Sequence, residues 1–142
     1  MTDAPEFRVA LFGFFAAFVW EMWQMPFYRT ADLAIMDAVQ GCSMGSFGDA
    51  GIMVVAYSVA ARIAGSRHWI LEPRRLPLFV YLGTGLVITI AIEHIALNAG
   101  IGWHYSDLMP VGPFGAGLVP VVMWIIVPLA TLWLVRLPSL PR

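Results

Sequence analysis

The stretch L-P-L-F-V-Y-L-G-T-G-L-V-I-T-I-A-I-E-H-I-A-L-N, residues 76–98, decides what kind of chain this is. From Leu76 to Ile92 it carries no charge, and Glu93 then stands inside the same apolar run. About 20 apolar residues cross a bilayer as a helix, so the stretch reads as a membrane span. A carboxylate within such a span is expensive and ordinarily faces a bundle interior, a cavity or a partner instead of lipid. Glu93 therefore marks both the fold and the first candidate position of a site.

Three other stretches have the same character, over residues 7–27, 47–64 and 118–135. Pro26 lies where the first can stop, and Arg62, Gly65 and Ser66 close the second. Pro73 and Pro77 bracket the start of the third. Pro110 and Pro113 break the chain before the fourth, inside which Pro120 and Pro128 fall. None shows the period-2 alternation of a membrane barrel. The 142 residues are 60% hydrophobic and 12% charged, where a water-soluble domain carries about 25% charged residues. The expected fold is all-α: an integral-membrane four-helix bundle, with residues 1–142 forming a single transmembrane domain. Its stretch before Glu21 is not expected to be a signal peptide, because Asp3 and Glu6 are its first charges and the apolar run is long.

All eight basic residues are arginines and the net charge is −1, which gives no footprint for nucleic acid. Cys42, the one cysteine, excludes an intramolecular disulfide. Arginine placement predicts the orientation. Arg62, Arg67, Arg74 and Arg75 lie between spans two and three, Arg8 near the start, and Arg136 and Arg142 after span four. Only Arg29 falls on the other side. Positive residues stay in the cytoplasm, so both termini and the middle loop are expected there, and a bacterial inner membrane is the expected location. The opposite loops carry Asp32, Asp37 and Asp107, with Asp49 at the expected outer start of span two.

On spans directed this way, the polar residues collect at one depth. Glu21 and Gln24, three apart, share a helix face near the outer end of span one. Glu93, His94 and Asn98 fall in the outer third of span three, His94 and Asn98 again on one face. Trp103, His104, Tyr105 and Asp107 follow. The expected site is thus lined by Glu21, Gln24, Asp49, Glu93 and His94 near the outer leaflet, with Trp20, Asn98, Trp103 and Tyr105 around a lipophilic substrate. Desolvation favours the neutral form of a carboxyl group, so Glu21 or Glu93 is expected to serve as a proton donor. His94 or Asn98 would orient the donor, and Asp49 or the other glutamate would accept a proton or hold charge. The duller alternatives are that the acids fix helix register, that Asp49 caps span two, and that Trp20, Trp23, Trp69, Trp103 and Tyr105 form interfacial belts. The three histidines lack paired-ligand spacing, so no metal is expected; nor is any other cofactor.

The run from Glu93 to Trp124, E-H-I-A-L-N-A-G-I-G-W-H-Y-S-D-L-M-P, a Gly/Pro-rich bend, then L-V-P-V-V-M-W, resembles a pattern in carotenoid hydratases and heterodimeric lycopene cyclases. In those, a late acidic residue precedes a glycine and an aromatic element, and a Pro-containing span with a later Trp follows. The pair Trp20–Glu21 is similar to one in membrane-bound terpene cyclases of fungal meroterpenoid pathways. Pro120 is followed by Val121 and Val122, where lycopene cyclases have paired acids. The resemblance implies an integral-membrane enzyme that cyclises, hydrates or isomerises a lipophilic, isoprenoid substrate by acid–base chemistry. Glu21 and Glu93 would be its proton donors or cation stabilisers, and the apolar inner half of the bundle would hold the tail. The competing expectation is a non-enzymatic membrane subunit, small carrier or pigment- or quinone-binding accessory protein. Membrane lipid is the surrounding partner in either case, and so small a bundle is suited to a homo-oligomer.

Overall fold

The computed structural model describes residues 4–29, 33–99, 104–113 and 115–137. Four long helices make up nearly all of them: α1 Pro5–Gln24, α2 Ile35–Ala64, α3 Arg75–Ala99 and α4 Leu118–Arg136. Each is long and apolar enough to cross a membrane. They pack in cyclic order, each against its neighbours in sequence and α4 back against α1. One end of the bundle holds Pro5, the α2–α3 connection and Arg136; the far end holds the α1–α2 and α3–α4 connections.

Proline and glycine set the helix ends. Pro5 opens α1 at a position whose N–H has no intrahelical partner. Pro26 follows its last turn, which tightens into a 3-10 turn over Met25–Phe27. Gly65, at φ 68°, closes α2 in the left-handed region, and the Gly65 and Ser66 N–H groups donate to the Arg62 and Ala61 carbonyls.

The second helix departs from the expected boundary. It starts at Ile35, not at residue 47, and its 30 residues span about 45 Å, well beyond the roughly 30 Å hydrocarbon core. Asp37, Gln40, Gly41 and Gly45 dilute its hydropathy and read as loop, yet Ala38, Cys42, Ser46 and Ala50 give its outer part a small-residue stripe buried in the bundle. Small residues let helix backbones approach closely. Asp49 consequently sits in the middle of α2 and caps nothing.

Apolar side chains point both ways, as a lipid-embedded bundle requires. Phe7, Phe15, Val19, Phe79, Val87 and Trp133, drawn from three of the helices, are all more than half exposed, an amount of apolar surface that a water-soluble monomer avoids. Inside, Val9, Met53, Tyr57, Tyr81, Trp124 and Val127 are almost wholly buried. Gly13 lets α1 sit against Met53 and Thr131, and Gly85 lets α3 lie directly on the Trp124 ring.

The end with the termini is sealed. Trp69, expected in an interfacial belt, folds back from the α2–α3 connection into the core, 4% exposed and 5.3 Å from Tyr57 and 6.1 Å from Tyr81 between ring centres. The Tyr57 hydroxyl donates to the Arg67 carbonyl at 2.7 Å. Arg67 holds Glu6 through two hydrogen bonds, at 2.9 and 2.8 Å, tying the α2–α3 connection to the start of α1.

Candidate functional site

The far half of the bundle is hollow. A cavity of about 570 Å³ lies between all four helices and takes Glu21 and Gln24 from α1, Asp49 from α2 and Glu93 from α3 into its wall. Met44, Ile52, Ile92 and Met123 supply much of the apolar lining. The volume is in the range of small-molecule sites, as is the mix of a few polar groups on an apolar wall. No arginine or histidine lines the cavity among the described residues.

Each acid is held differently. On the last turn of α1 the Trp20 indole N–H donates to the Gln24 amide oxygen at 3.0 Å, four residues on. That leaves the Gln24 NH2 for Glu21, with which it hydrogen-bonds. The Glu21 carboxyl lies over Gly45, where an added Cβ would be 3.4 Å from its carbon. Gly45 and Asp49 are one turn apart on α2, so the notch and the second acid share a face. Glu93 accepts a short 2.6 Å hydrogen bond from the Tyr105 hydroxyl. Glu21, Asp49 and Glu93 are close enough to feel one another's charge.

Tyr105 is fixed in turn. Its oxygen accepts from the Gly117 N–H at 3.0 Å. Its strand bridges Tyr28 through the Arg29 N–H to the His104 carbonyl and the Ser106 N–H to the Phe27 carbonyl. The Ser106 hydroxyl donates to the Pro26 carbonyl. The two far connections are thus laced together over the cavity. Burial and the bond to Glu93 push the Tyr105 phenol up to about 12. Burial and the nearby Glu93 raise Tyr28 as well. Both phenols therefore keep their protons at physiological pH.

Tyr105→Phe is expected to leave Glu93 without this donor. A hydrogen bond to a charged group is worth about 1.5–3 kcal/mol, and partial exposure of Tyr105 places the effect at the lower end. The pH dependence follows from the raised phenol. Its contribution is fully present below the ordinary tyrosine value near 10 and is lost as pH climbs through about 12. Thermal melts across that alkaline window should converge for the wild type and the phenylalanine variant. Equal melting temperatures at neutral pH would contradict the expectation.

The structure brings together Glu21, Gln24, Asp49 and Glu93, and hangs Trp20 and Tyr105 behind them. It does not bring His94 or Asn98. His94 is exposed and lines a separate groove with Val87, Ile90 and Leu97. The Asn98 amide donates to the His94 carbonyl on its own helix at 2.8 Å. A residue next to Glu93 in sequence is turned about 100° away around a helix, so adjacency misplaced His94; Tyr105, not His94 or Asn98, orients Glu93. Trp103, Asp32 and Arg142 lie outside the described residues.

The expected place for an apolar tail also changes. The core at the Pro5 end is filled by Tyr57, Trp69 and Tyr81, and the cavity that takes in the acids lies in the far half. Among the cavity residues that escaped the sequence reading as site residues are Tyr28, Gly45, Thr89 and Trp124. Helical spacing could have found two of them, since Thr89 precedes Glu93 by four and Gly45 precedes Asp49 by four.

The fold and its greasy exterior point to a small four-helix membrane protein. No protein-family model, curated protein or solved structure matches the chain.

Proposed function

We propose that this is an integral-membrane enzyme that acts on a lipophilic, isoprenoid-class molecule by acid–base chemistry in the far-end cavity. The observation that carries the reading is the convergence of Glu21, Asp49 and Glu93, from three helices, on one apolar cavity. One neutral carboxylic acid gives its proton to an alkene carbon, leaving a carboxylate and a carbocation. A second carboxylate then takes a proton from a neighbouring carbon, or water adds and loses one, giving isomerised, cyclised or hydrated product. Tyr28 offers an aromatic face to the cation. The arginines at the end with the termini support a cytoplasmic location for that end, which puts the cavity toward the outer leaflet of a bacterial inner membrane.

A second reading has its own support. Glu21 is already held by Gln24, and Glu93 by Tyr105, which is how acids that only fix helix register would look. On this reading the protein is a non-enzymatic subunit, carrier or pigment- or quinone-binding accessory protein.

Mass spectrometry of lipophiles retained by the purified protein tests whether the cavity is a binding site. Roughly one lipophile per chain is expected, and Gly45→Leu, which grows a side chain onto Glu21 and into the cavity, should reduce retention severalfold without loss of folding. An empty wild-type protein, or equal retention by the variant, would refute the cavity as the site.

A further inference from the structure

Thr89 and Trp124 both line the cavity wall. The Thr89 hydroxyl and the Trp124 indole N–H are buried and have no hydrogen-bond partner among the described residues. Trp124 is 1% exposed. Gly85 lies against the Trp124 ring, and Thr89 stands one turn further along the same face of α3. Thr89 and Trp124 thus belong to the part of the cavity wall where α3 meets α4. Glu21, Gln24, Asp49 and Glu93 supply much of the rest of its polar lining. The other two orphan groups, on Trp69 and Tyr81, lie in the packed core and line none of the cavities described.

The chemistry of the two orphans is one-sided. An indole N–H only donates, and a threonine hydroxyl donates as readily as it accepts. Glu21 and Glu93 are held by Gln24 and Tyr105, and neither they nor Asp49 bonds the two orphans. An unpaired buried donor is costly in a bilayer, where no bulk water can take its place. A hydrocarbon would leave both donors unpaired.

From this we infer that the molecule bound here carries an acceptor oxygen, a carbonyl or hydroxyl, seated against Thr89 and Trp124 on the α3–α4 side of the cavity. The ligand class is thus an oxygenated isoprenoid lipophile and not a pure hydrocarbon. This rests on the proposed function, since it names the substrate class of the same cavity. Sites built to hydrogen-bond an oxygen reject analogues that lack it, because the buried donors are then stranded.

The test uses the full chain in detergent micelles and three probes of equal chain length: farnesal, farnesol and the hydrocarbon farnesene. Binding is measured by equilibrium partition of radiolabelled probe. The wild type is expected to bind farnesal or farnesol at least tenfold more tightly than farnesene. Thr89→Val keeps the shape and removes one donor; Trp124→Phe removes the other together with part of a buried core ring. Each should cut that preference about threefold to tenfold, with farnesene binding and the melting temperature changed little in Thr89→Val. If Trp124→Phe fails to fold, Thr89→Val carries the test alone. Equal wild-type affinity for all three probes, or a preference untouched by the variants, overturns the inference while leaving a lipophile-binding cavity intact. Binding of none of the three overturns the inference and the proposed function together.

Discussion

Gly85→Leu is expected to disrupt the bundle, and Gly85→Ala to weaken it, although either residue is a better helix former than glycine. A Cβ built at Gly85 would overlap the six-membered ring of Trp124. That ring is rigid and almost wholly buried, with Val127 and Met123 beside it in the core, so it has nowhere cheap to go. Alanine regains about 1 kcal/mol of helix propensity, while overpacking of a full core costs about 1–3 kcal/mol. The sum for alanine is a net loss of up to about 2 kcal/mol, and leucine adds three more carbons to the same overlap. Gly83, two residues earlier, faces open space, so Gly83→Ala should be neutral or slightly stabilising. The pair thus predicts opposite signs for one substitution within half a helical turn. Thermal melts in detergent read both. Coupling is checked by Gly85→Ala in a Trp124→Leu background, where much of the alanine penalty should vanish. Equal effects at Gly83 and Gly85 would mean that α3 does not rest on Trp124.

The architecture was largely visible in the chain because burial in lipid is written in composition. Three of the four helices begin and end within three residues of the apolar runs that announced them, since proline and arginine stop the runs near where they stop the helices. The exception, the first twelve residues of α2, shows what hydropathy misses. Asp37, Gln40 and the glycines look like water-facing loop, but their backbone is helical, and Ala38, Cys42 and Ser46 between them pack into the bundle. The site was visible by depth and invisible by azimuth. Depth follows from counting residues along a span, and it placed Glu21, Gln24, Asp49 and Glu93 together. Azimuth depends on which helix packs where, and so His94 was put beside Glu93 when it faces a different groove. The Tyr105–Glu93 bond joins residues twelve apart across a helix end, and no periodicity predicts such a contact. Trp69 was misplaced for a related reason: a connection long enough to fold back can bury an aromatic that composition alone assigns to the membrane surface.

Glu21→Gln and Glu93→Gln are each expected to lower turnover by about a hundredfold or more, the usual contribution of a positioned general acid, with the bundle still folded. Glutamine preserves most of the hydrogen bonds: it can accept from Tyr105 at position 93 and from Gln24 at position 21, and it fits the notch over Gly45. What it loses is the exchangeable acid proton and the capacity for charge. A charged carboxylate at the centre of a spanning helix costs roughly 3 kcal/mol on insertion scales, so an acid kept only for packing would be replaced by glutamine with no loss and some gain. The two readings of the site therefore diverge on this substitution. For an enzyme, activity falls while stability holds or rises; for a register-fixing or accessory protein, stability likewise holds or rises and no chemistry is there to lose. The assay is run in D2O with the lipophile that co-purifies, and with lycopene and geranylgeraniol as defined alternatives. Protonation of an alkene by an exchanged carboxyl group places deuterium on carbon, which mass spectrometry reads in the product. Deuterated product from the wild type, and its loss in both glutamine variants, is the expected result. Undiminished deuteration in both variants would remove the glutamates from the chemistry, and no deuterated product from the wild type with any of the three would leave the accessory reading in possession of the cavity.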